Sequence, residues 1–135
     1  FYYQHGDSTT HSFSLKKCRD RMQAMRIMMD YAEKNGALEE FKDIVEYHFS
    51  NLFYRNTLFA YMQSDIRKDR KFLKEMGEEM LSTFPDFRDN TYYKQTVNEY
   101  EQKLINLHLK STCMFLFIYK LKMISKKMKD SIRKK

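Results

Sequence analysis

Four histidines, two cysteines and eighteen carboxylates are the groups from which this 135-residue chain could assemble reactive chemistry. One stretch concentrates them. In residues 5–12, HGDSTTHS, two His, one Asp and four hydroxyl side chains fall within eight positions. Such a loop can hold a metal or a phosphate. The same composition suits a polar surface turn, with Gly6-Asp7 as its reversal, and both alternatives stand. Elsewhere the spacings exclude more than they support: glycine-rich phosphate loops, HExxH and nucleophile elbows are absent. His48 falls beside Val45, Phe49 and Leu52 on an apolar helical face, which marks a hydrogen-bonded core histidine, and His108 is similar with partial exposure. The adjacent pairs Glu39/Glu40 and Glu78/Glu79 point in different directions on a helix, as solvated surface does. Cys18 and Cys113 match no metal or redox spacing, so two ordinary thiols in a reducing compartment are expected.

The C-terminal segment, residues 114–135, carries a different kind of signal. MFLFIYKLKMISKKMKDSIRKK is apolar at helical spacing on one face and rich in Lys on the other. Residues 120–135 hold eight basic side chains against Asp130 alone and so account for the whole net charge of +7; the seventeen basic and seventeen acidic residues before them cancel. A helix of this pattern can lie in a membrane interface, where apolar burial and attraction to anionic headgroups add. Phe117, Lys120, Lys122, Lys126, Lys127, Lys129 and Arg133 are the candidate membrane-surface residues. The alternatives are a helix with a solvated tail and a basic strip for nucleic acid, the latter disfavoured because Arg133 is the tail's one arginine. The longest purely apolar run, residues 113–119, is far short of the roughly 20 residues of a membrane span.

These groups need elements to position them, and the sequence specifies helices. Three Gly and one Pro leave little for the turns of a β protein, whereas 42% apolar and 16% aromatic residues suffice for a core. The ten Met fit gap-filling between helices, with a promiscuous peptide groove as the alternative. The predicted fold is an all-α bundle of four to five helices with a short extended N-terminal arm: residues 1–13 form the arm and 14–135 the helical domain. A first helix starts at Ser12 or Ser14 and ends at Asn35 before Gly36, burying Leu15, Cys18, Met22, Met25, Met29 and Ala32, with Lys16, Lys17, Arg19, Arg21 and Arg26 facing elsewhere. The organising strut is residues 38–62, without Gly or Pro and roughly 37 Å long. Its apolar stripe is Leu38, Phe41, Val45, Phe49, Leu52, Phe59 and Met62; Tyr47, Phe53, Tyr54 and Tyr61 lie off it and call for neighbours on a second face. A third helix spans 66–84, with Asp69 as an alternative start, Leu73, Met76, Met80, Leu81 and Phe84 inward, and Pro85 as its stop. A turn-rich loop over 85–95 is pinned by Phe87, Tyr92 and Tyr93. A capping box at Thr96-Val97-Asn98-Glu99 opens a fourth helix, which bends or breaks near Ser111-Thr112 and keeps Val97, Tyr100, Leu104, Leu107, Met114, Ile118, Leu121, Met128 and Ile132 in one phase.

Four stretches carry a resemblance. FYYQHGDSTTHSF followed by a basic helix, then LFYRNTLFAYM, TFPDFRDNTYY and LHLKSTCMFLFIYKL, together resemble the C-terminal region of bacterial family 2 glycosyltransferases that build capsular and other surface polysaccharides. The resemblance covers essentially the whole chain, although its motifs are mostly aromatic packing patterns. It implies that residues 1–13 end a catalytic domain, with His5, Ser8 and Thr9 as possible donor-side contacts, and that 14–135 form a helical accessory domain. The sequence opens at Phe1, as expected of a piece of a longer protein. The family's metal-binding DxD and catalytic-base carboxylate would lie upstream, so this piece has no catalytic residue or metal ligand of its own and should not transfer sugar. A divalent metal and a nucleotide sugar are implied only for the full-length enzyme. The implied partners are the missing catalytic domain, an anionic membrane surface at the cytoplasmic face of the cell membrane, and a second copy in a homodimer. A free-standing helical interaction module is the alternative.

Overall fold

A computed structural model describes residues 14–133 of the chain; residues 1–13, with His5, Ser8, Thr9 and the extended arm, lie outside the described residues. The described chain is all-α, with no strand among those residues. Helix α1 covers Leu15–Lys34; Ser14 caps it by accepting from the Lys17 amide, and Gly36 at φ 74° reverses the chain just beyond Asn35. A left-handed residue is where glycine carries no Cβ penalty. The expected stripe is inward: Cys18, Met22 and Met25 are buried, and Leu15 and Met29 pack against the same core. Arg26 departs from expectation. It forms two 2.6 Å bonds to Glu79, with its guanidinium 5.5 Å from the Phe53 ring.

The central strut forms with an interruption and a distortion. Helix α2, Ala37–Glu40, ends at Phe41, and α3, Lys42–Phe49, runs into a π-helical segment at Ser50–Arg55 and then α4, Asn56–Gln63. Buried residues recur here every four positions, as Glu46, Ser50, Tyr54, Leu58 and Met62 beside Phe49, Phe53, Thr57 and Tyr61. Over that length a straight α-helix would rotate such a stripe by about 160°. The wider π turn takes back part of the rotation, and the Thr57 hydroxyl supports it by donating to the Leu52 carbonyl at 3.0 Å. The expected stripe is corrected accordingly. Leu52 and Phe41 are exposed, whereas Phe53, Tyr54 and Tyr61, expected off the stripe, are fully buried.

Helix α5, Arg70–Thr83, begins at Asp69, whose carboxylate accepts from the amides of Lys71 and Phe72, so the alternative start holds. After Pro85 a 3-10 turn, Phe87–Asp89, leads to α6, Thr91–Thr96, capped by Asn90. Phe87 and Tyr93 pin this connection in the core, but Tyr92 is exposed. The buried Asn90 amide also bonds the Asp43 carbonyl and the Glu46 carboxylate, tying the loop to α3. Helix α7, Glu99–Lys110, is capped by Asn98, which accepts from the Glu101 amide. The Thr96 capping box therefore does not form, because Thr96 is consumed as the last residue of α6. Glu101 instead bonds Arg55 at 2.6 Å. Ser111, in extended conformation at φ −157° and ψ 113°, breaks the helix where a break was expected, and α8 is Thr112–Arg133.

The two histidines exchange their expected places. His48 is exposed, whereas His108 is 2% exposed in the core. His108 Nε2 lies 2.9 Å from the Leu73 carbonyl and Nδ1 2.7 Å from the Tyr54 hydroxyl. A carbonyl only accepts, so Nε2 carries the proton and the hydroxyl donates to Nδ1. Burial holds this imidazole neutral, its pKa down to about 4 against a smaller opposing effect of the Leu73 bond.

Candidate membrane-docking face

Helix α8 is the longest helix among the described residues, and its two sides meet different surroundings. Phe115 is buried, and Leu116 and Tyr119 pack against the core. Beside them Met123 and Tyr119 line a groove with Phe59 and Leu104. At about 100° per residue these four side chains share one face. Met114, Phe117, Leu121, Ile124, Met128 and Ile132 project from the opposite face within an arc of about 80°. All six are exposed, between 48% for Ile124 and 71% for Ile132. This corrects the expected phase: Met114, Leu121, Met128 and Ile132 do not continue the buried stripe of α7. The extended Ser111 resets the phase, and the Phe115 side takes the inward position.

The basic residues sort by position around this helix. Lys120 and Lys127 flank the outward stripe on one side and Lys129 on the other, all of them exposed, while Arg133, exposed at the end of the helix, lies on the same side as Phe115. Lys122 turns back towards the body and sits 4.1 Å from the Tyr100 ring centroid. Lys126 lines the groove with Tyr100 and Glu101. Of the candidates named from sequence, Phe117, Lys120, Lys127 and Lys129 thus share the outward side, while Lys122, Lys126 and Arg133 lie on the other side of the helix. Met114, Leu121, Ile124, Met128 and Ile132 were missed as outward residues. Their spacing of three and four residues was visible, but it is equally the spacing of a buried stripe.

The stripe and its flanks make an apolar strip edged by ammonium groups on stems long enough to reach a charged layer above it. No helix among the described residues is long and apolar enough to cross a membrane. No group of three or more His, Cys, Asp or Glu among them is placed to hold a metal ion. Both cysteines are free thiols, Cys18 buried and Cys113 exposed. Burial pushes the Cys18 thiol up despite Arg21 and Arg19 nearby. Compared with known proteins, the chain matches no protein-family model, no curated protein and no solved structure.

Proposed function

We propose that this chain is a helical accessory domain that docks on an anionic membrane surface through the outward face of α8, laid in the interface plane. The observation that carries this reading is the six-residue apolar stripe, exposed along the whole of α8 and edged by Lys120, Lys127 and Lys129. Apolar burial in the headgroup boundary and about 1 kcal/mol for each basic residue near the surface would act together. The helices behind it, taken as a bundle of four to five principal helices, would supply a rigid mount. The wider setting is that of the C-terminal region of a family 2 glycosyltransferase at the cytoplasmic membrane face, with a catalytic domain preceding it. It rests on the four motif stretches alone. In that setting docking raises the effective concentration of the enzyme near a membrane-bound acceptor, and a nucleotide sugar and divalent metal belong to the catalytic domain.

A second reading, a helical protein-interaction module or homodimer, has one observation in its favour. Ile27, Met28 and Tyr31 of α1 are 61%, 56% and 69% exposed and lie together on its surface. Two measurements separate the readings. Flotation with anionic vesicles, comparing the full chain with one ending at residue 119, should show binding by the full chain only; equal binding by both would remove membrane docking. Light scattering should show a monomer, and a concentration-dependent dimer would favour the interaction module.

A further inference from the structure

Apart from the outward face, a cavity of about 360 Å³ lies where α5 meets the α7–α8 junction. Arg70 and Lys74 of α5 and Lys110 at the end of α7 line it, above the buried Gly77 and His108. Glu78 is its only lining carboxylate among the described residues. Three cations against one anion leave a surplus of two positive charges around one small space.

The arrangement contrasts with the other arginines that bridge helices. Arg26 is closed by Glu79 and Arg55 by Glu101. Among the described residues no carboxylate pairs with Arg70, Lys74 or Lys110. Arg70 places Nη1 3.1 Å from the Cys113 sulfur. That contact holds the guanidinium across the mouth, yet a thiol is a weak acceptor and most of the five N–H donors of the fork stay available. Like charges gathered at a cavity raise a positive potential that is relieved when an anion enters. A planar guanidinium with two nearby ammonium groups matches the oxygens of a phosphate, the fork bidentately and the lysines as point charges. The hydroxyls of Ser111 and Thr112 line the same space and add donors.

We propose that this cavity is a binding site for a phosphate dianion, either free phosphate or the phosphomonoester headgroup of a lipid. A phosphomonoester carries about −1.5 to −2 charge at pH 7, which matches the surplus, whereas a phosphodiester headgroup carries about one charge less. The cavity also adjoins the outward face: Cys113 lines it, and the next residue, Met114, opens the apolar stripe. A headgroup held here would belong to a lipid in the layer on which α8 rests. The site itself stands on the cavity and its charges and does not require that α8 dock.

The test is an NMR titration of the ¹⁵N-labelled chain with inorganic phosphate at constant ionic strength. Alongside it, vesicle binding is measured with phosphatidic acid, a monoester, against phosphatidylglycerol at matched charge. Saturable shifts at the amides of Ser111, Thr112 and Cys113 are expected. In Arg70→Gln and Lys74→Gln, exposed positions where folding is checked by circular dichroism, affinity should fall about tenfold each, as loss of a charge-assisted contact requires. A preference for phosphatidic acid that disappears in the same variants assigns the headgroup source, and a response to phosphate alone assigns the free anion. No saturable shift at about 10 mM phosphate with no monoester preference overturns the site, as does a response whose affinity neither substitution weakens. If no vesicle binds at all, docking by α8 fails while the phosphate titration still reads the cavity.

Discussion

Replacing Phe117 by alanine tests the orientation of α8 directly. The ring is 61% exposed and has no aromatic partner among the described residues, so little folding stability depends on it. A phenylalanine can bury roughly 200 Å², of which about 120 Å² is then open to a docking surface. At about 25 cal/mol per Å² that area is worth about 3 kcal/mol if the bilayer covers it fully. Alanine retains part of it, so Phe117→Ala should lose about 2 kcal/mol, a roughly thirtyfold weaker partition into vesicles. Ile27 supplies the control. It is also 61% exposed, on α1 instead of α8, and Ile27→Ala should leave vesicle binding unchanged. Co-sedimentation over a series of lipid concentrations measures both. Unchanged binding by Phe117→Ala, or an equal loss in Ile27→Ala, would refute the assignment of this face, the second by showing that exposed apolar area anywhere on the surface is enough.

Converting Lys120, Lys127 and Lys129 to glutamine should remove about 3 kcal/mol of attraction to anionic vesicles at low salt, a difference that shrinks as ionic strength rises; the same titration at two salt concentrations checks it. His108 predicts an acid-sensitive fold. Its folded pKa of about 4 lies below the usual 6.5, so its stabilising contribution is complete above pH 6.5 and is lost as pH falls towards 4, by about 3 kcal/mol. Denaturant melts of wild type and His108→Gln should converge at the acid end of that window. Tyr93→Phe should be neutral or stabilising by thermal melt, because the buried hydroxyl has no hydrogen-bond partner among the described residues and its burial raises the phenol pKa to about 12. Asn90→Ala, by contrast, removes the α6 cap and the bonds to Asp43 and Glu46 and should cost about 2 kcal/mol or more.

The sequence was most legible where structure is decided within a few residues. Ser14, Gly36, Asp69 and Pro85 mark helix ends because their effects on backbone donors and dihedrals are local. It was less legible where two local solutions compete, as at Thr96 and Asn98, both able to cap; α6 claims the first and leaves the second to α7. It failed where long-range phase decides. A strict 3.6-residue period put Leu52 inward and Phe53 out, because nothing local announces a π turn. That assumption also placed His48 inside. His108 was misjudged for a different reason, since its burial depends on Tyr54 and Leu73, 54 and 35 residues away. In α8 both faces are apolar at helical spacing, so only packing could choose Phe115 over Phe117 for the interior. The concentration of charge in the tail needed no structure to be seen, but its division into outward flanks and the Tyr100 contact of Lys122 did.

The π segment at Ser50–Arg55 is where this strut holds about one residue more than a regular α-helix of the same rotation would. Deleting one residue there would let the helix relax to regular α geometry while keeping α3 and α4 in nearly their present relative rotation, because a π turn holds about one residue more than an α turn. Asn90, whose bonds to Asp43 and Glu46 require α3 in its present rotation, would keep them. A single-residue deletion should therefore be tolerated better in this segment than within α3 or α4, which makes it the point of the strut where sequences descended from a common ancestor would align with a gap.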